Sequence, residues 1–154
     1  MLATENRRRQ QRPQRLLALA ETTGREASLD DILALQATQN LWQAVRDNAH
    51  CHLVWHRVWG DRLAGEAART LREIADHLGR DAEAYVLWDN PPEAVRTPVA
   101  PLLRHEADHL SHQTRATLVS ADAKSGLVLG WDHLSYADEY SLITWGDLAF
   151  DPTE

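Results

Sequence analysis

The apolar positions of this chain change period part-way along it. Leu29, Ile32, Leu33, Leu41, Ala44 and Val45 recur at helical spacing as far as Asp47. Ser28 reads as the N-cap, with Asp30 and Asp31 in the first turn where the helix dipole favours negative charge. A second helix is predicted over Arg62 to Leu78, with Leu63, Ala67, Leu71, Ile74, Ala75 and Leu78 on one face and Gly79 as its stop. Between them His50 to Trp59 fits a helix or a strand, and Gly60-Asp61 ends it. Ala84 to Trp88 reads as a buried strand closed by Asp89-Asn90-Pro91-Pro92. A third helix starts at Pro98 to Pro101, places Leu102, Leu103 and Leu110 on its buried stripe, and runs to about His112. Three short apolar runs follow, Ala116 to Ser120, Leu127 to Trp131 and Tyr140 to Trp145. Their hairpin-length turns argue for an antiparallel meander. Gly126 is expected to close the first of these turns with a positive φ. Helices first and strands last make the class α+β, N-terminal helices packed on a small, mostly antiparallel C-terminal sheet.

Composition narrows the class. The 154 residues are 44% hydrophobic and 25% charged, a balance that suits one domain, expected over residues 25–150. No apolar run approaches the ~18 residues of a membrane helix, and the N-terminus lacks the apolar stretch of a signal peptide. Cys51 is the only cysteine, so no internal disulfide forms, and the expected compartment is the cytoplasm.

The net charge of −7 is uneven. Arg7, Arg8, Arg9, Arg12 and Arg15 against Glu5 give the first fifteen residues +4, so the remainder carries −11. The stretch up to Arg12 is Arg/Gln-rich and closed by Pro13, and Gln14 to Glu21 offers a short helix ending near Gly24. Residues 1–24 are therefore expected to be a basic, flexible arm. An acidic body repels nucleic acid and favours basic partners, leaving weak contact through the 7–15 arm as the one nucleic-acid expectation.

The sharpest chemical motif is His105-Glu106-Ala107-Asp108-His109, which fits H-E-x-x-H. In zinc peptidases two histidines one turn apart bind Zn²⁺ and the glutamate activates its water. Arg104 to Leu110 also resembles the metal motif of peptide deformylases, whose Glu-Gly-Cys-Leu and upstream Gly-rich segments are missing here. The implied alternative is a small zinc hydrolase with His105 and His109 as ligands and Glu106 as the catalytic base. Helical spacing opposes it, since Glu106 falls on the apolar stripe and both histidines fall off it. A second histidine set, His50, His52 and His56, has no carboxylate at ligand spacing and reads as surface or interface. Walker, Rossmann and G-x-S-x-G patterns are all missing. Of the six tryptophans, most are expected in the core with the indole N–H on a carbonyl, Trp55, Trp59 and Trp131 being the exceptions beside polar neighbours.

From Ser125 to Gly146 two apolar strands flank an acidic, Tyr- and His-containing loop and end in Trp145-Gly146. This stretch resembles the C-terminal hairpin of small bacterial immunity proteins that accompany polymorphic toxins. The resemblance implies a non-enzymatic inhibitor, with no cofactor, that masks the basic active site of a toxin. The expected partner-binding residues are Trp131, Asp132, Tyr136, Asp138, Glu139 and Tyr140, joined by Asp89 and Glu93 on the preceding loop.

Overall fold

The computed structural model describes residues 2–48, 55–60, 64–110, 115–132 and 139–146. It is α+β. Its helices are α1 (Leu2–Thr23), α2 (Leu35–Asn48), α3 (Ala64–Leu78) and α4 (Val99–Asp108). Its strands are β1 (Trp55–Gly60), β2 (Glu83–Trp88), β3 (Glu93–Pro98), β4 (Ala116–Val119), β5 (Gly126–Asp132) and β6 (Glu139–Trp145). Together they form one antiparallel sheet in the order β1-β6-β5-β4-β2-β3. The ambiguous His50–Trp59 stretch thus contributes an edge strand over its last residues, and the rest of it lies outside the described residues.

Period-2 alternation puts a core on each face of the sheet. Ala84, Val86, Leu118, Leu127, Leu129 and Leu142 meet α3, α4 and Leu19 of α1. Leu87, Val119 and Trp145 meet Leu41 and Val45 of α2 on the other side. The apolar stripe of α3 explains its place, since Leu71, Ile74 and Ala75 are fully enclosed.

The expected flexible arm is instead the longest helix, and the residues read as its basic tail hold it down. Arg8 and Glu93 are 2% and 1% exposed and form a buried ion pair. Arg12 Nε donates to the other Glu93 oxygen at 2.9 Å, and Arg8 Nη2 also donates to the Leu33 carbonyl at 2.7 Å. Arg15 donates to the carbonyls of Pro91 (2.8 Å) and Asn90 (3.1 Å). Pro13 stands inside the helix. An interior proline costs a helix ~3 kcal/mol in isolation, so this tertiary docking outweighs it.

Two further expectations change. Ser28 does not open one helix to Asp47: Leu29–Asp31 is a single 3-10 turn, with Ser28 N–H donating to the Asp31 carboxylate at 2.9 Å. Ile32 then bridges Val95, and Leu33 N–H donates to the Ala94 carbonyl at 3.0 Å, covering the outer edge of β3. The Ser28 N–H, above all, holds the Asp31 carboxyl below its ordinary value; burial opposes this and the Arg96 ion pair adds to it. In the 122–126 turn the positive φ belongs to Ala123 (61°), not Gly126. Gly126 is required for a different reason: the Trp145 ring occupies the space a Cβ would fill.

Removing Glu93 leaves two guanidinium groups facing an empty, dry site. Glu93→Ala is expected to lower unfolding free energy by ~3–5 kcal/mol in urea titrations. A loss under ~1 kcal/mol would mean that α1 is not docked through this pair.

Candidate functional site

The H-E-x-x-H sequence occupies the C-terminal end of α4, and the structure separates its members. Glu106 is half-buried, whereas His109 is exposed and lies beyond the last helical residue, with φ −126° and ψ 27°. The two imidazoles stack on each other, centroids 4.3 Å apart and planes 24° from parallel. His109 Nδ1 also sits 2.9 Å from the His105 carbonyl. Rings laid face to face share an orientation instead of converging their nitrogens on one point. Neighbouring Asp108 is held below its ordinary value mainly by the Arg72 guanidinium, 2.7 Å away. Among the described residues no group of three or more His, Cys, Asp and Glu could hold a metal ion. His50, Cys51 and His52 lie outside the described residues, and His56 is on β1 as the register partner of Ile143.

Glu106 lines a groove of about 670 Å³ that neither histidine lines. That volume is within the range of ligand-binding clefts. One wall is a stripe of α1 at helical spacing, with Gln11, Gln14, Ala18 and Thr22. Leu102 and Glu106 of α4 form the second wall, and Arg115, Ala116 and Thr117 the third. The floor is Val86, Leu87 and Trp88, with Trp42 reaching in from α2.

Local chemistry holds this groove in shape. Trp42 Nε1 donates to the Trp88 carbonyl at 2.9 Å, and the Arg15 guanidinium lies 5.4 Å over the Trp88 ring. Arg15 is thereby committed to a ring and two carbonyls, and burial pulls its pKa down. Burial pushes the Glu106 carboxyl up, and the nearby His105 and His109 oppose that shift only in part. Glu106 makes no hydrogen bond or ion pair among the described residues. The indole reading made from sequence holds for Trp42 and for buried Trp145, whose Nε1 donates to the Ala123 carbonyl at 3.1 Å. The groove itself had no local signature, because Trp42 and Trp88 are 46 positions apart and Arg15 reaches 75 and 76 positions along the chain.

The expected binding loop is placed by register. β5 and β6 pair as far as Trp131↔Tyr140 and Asp132↔Glu139, so residues 133–138 join them. Tyr136 and Asp138 lie outside the described residues. Asp89 is exposed, but Glu93 is not a surface acid, being buried under Arg8 and Arg12. In comparisons with family models, curated proteins and solved structures, nothing matches the chain.

Stacked histidines make a poor zinc site. Equimolar zinc is expected to move Tm by less than about 1 °C, since only a ligand bound well below its working concentration stabilises appreciably. A rise of about 5 °C or more in a thermal melt would restore the metal reading.

Proposed function

We propose that this protein is a non-catalytic binding protein that neutralises a basic protein partner in the manner of an immunity protein, with the β5–β6 connection as its main contact. The observation that carries the reading is the last register pair of the hairpin, Asp132↔Glu139. Like charges at directly opposite positions destabilise an antiparallel pair. A cationic partner removes that cost, and Asp138 precedes Glu139 in the sequence as a further acid.

The disposition of the arginines supports it. Arg8 and Arg12 are spent on Glu93, Arg25 on Glu83, Arg96 on Asp31, Arg72 on Asp108 and Arg104 on Asp76. Exposed Glu21, Glu26, Asp30, Asp81 and Asp89 have no such partner among the described residues. Exposed Arg9, Arg46 and Arg80 likewise have none, so the support is the chain's net charge of −7, which speeds encounter with a basic surface. The same inward turn removes most of the arm that sequence offered to nucleic acid. Trp131, Tyr136 and Tyr140 supply rigid aromatic anchors next to these acids in sequence. No helix among the described residues is long and apolar enough to cross a membrane.

The test is a double charge reversal, Asp138→Lys with Glu139→Lys, against a basic protein partner identified among the products of neighbouring genes. The variant is expected to fold normally, to associate at least about tenfold more slowly, and to lose much of the salt dependence of the rate. Unchanged association kinetics would show that the acidic connection is only a solvated turn.

A further inference from the structure

The ladder between β2 and β4 stops early. Only Tyr85↔Val119 and Val86↔Leu118 pair, although β2 continues through Leu87 and Trp88 and β4 begins with Ala116 and Thr117. These four unpaired positions all line the groove under α1. The sheet is forked here, and the groove fills the fork.

Two arginines and two acids line the fork, and the arginines are already engaged. Arg15 is committed to Pro91, Asn90 and Trp88, and Arg115 has an interaction of its own. Of the charged lining groups, Glu106 and Asp89 make no hydrogen bond or ion pair among the described residues, and both are acids. On the α4 side of the sheet Val86 and Leu102, the latter one turn before Glu106, give the groove apolar surface. A carboxylate at the end of an apolar slot suits a long basic side chain, whose methylene stem packs along apolar surface while its head keeps a charged partner.

Register also sets the fork beside the acidic hairpin. Ala116 is opposite Leu129, and β5 runs three residues further in the same direction to Asp132. The fork and the hairpin end therefore share one end of the sheet, about 10 Å apart along the strands and about 10 Å apart across them.

We infer that the fork is a second, specific part of the partner-binding surface, a slot that receives a lysine or arginine side chain from an extended segment of the basic partner, with Glu106 as its counter-ion and Asp89 at the rim. This rests on the function proposed above only for the source of the side chain; the slot itself is testable without the partner.

The probes are Nα-acetyl-lysine methylamide and its uncharged isostere Nα-acetyl-norleucine methylamide, titrated into ¹⁵N-labelled full-length protein and followed by NMR. The lysine derivative is expected to shift the indole N–H signals of Trp42 and Trp88 and the amides of Leu87 and Thr117, and to bind about tenfold more tightly than the norleucine derivative. Glu106→Gln should abolish that preference. Ala18→Trp, at an exposed position on the α1 wall, should block both probes while leaving the fold intact. Equal binding of the two probes, a preference that survives Glu106→Gln, or shifts that avoid the fork would each overturn the inference. Such a failure leaves the acidic-hairpin reading standing. Normal kinetics of the double charge reversal would remove that reading without touching the slot.

Discussion

Glu93 opens β3 with both carboxylate oxygens bonded by arginines of a helix more than eighty positions away. Arg8 also reaches Glu5 in its own helix and the carbonyl of Leu33, so three segments of chain meet at one enclosed charge. Such a cluster adds little net stability, because desolvation consumes most of the Coulomb gain. Its consequence is geometric: a buried carboxylate tolerates few arrangements, and this one sets how α1 lies across the sheet. Leu19 then reaches the main core and the Gln11–Thr22 stripe closes the groove. Without α1 the forked end of β2 and β4 would be open surface.

The sequence was readable wherever an element is stabilised by its own periodic face. The stripe of α3, the run Ala84–Trp88 and the alternation of β4, β5 and β6 each match the structure to within a few residues. It was unreadable where a partner lies far away in the chain. Arginine density and Pro13 in the first residues are signs of a solvated tail until Glu93 is set beneath them. β3 escaped notice because it opens on that buried glutamate, carries exposed Arg96 and ends on Pro98. Ile32 and Leu33 fit a helix by spacing, but β3 offered them a strand edge. Gly126 was sought as a backbone hinge, whereas an indole nineteen positions on demands its missing side chain.

The candidate chemistry divides along the same line. Helical spacing put Glu106 on the apolar stripe and His105 and His109 off it; in the structure Glu106 lines the groove and the two rings stack. What the glutamate faces could not be read from α4, because the opposite walls come from α1, β2 and β4. The two acidic features favoured here, the Asp132↔Glu139 hairpin end and the Glu106 fork, emerge at the same end of the sheet only through the β2-β4-β5 register. One is the last pair of a β-hairpin, the other a slot beneath a helix.

The groove, its slot and the inward turn of the arginines all require α1 to be a docked helix, and amide hydrogen exchange measures that directly. Its interior amides, from Arg9 to Ala20 and omitting Pro13, are expected to exchange at least about a hundredfold more slowly than in an open chain, and Glu93→Gln should release them ahead of α3. Exchange of these amides at open-chain rates in the unmodified protein would show that the first residues are a solvated arm, and the groove and its slot would go with them.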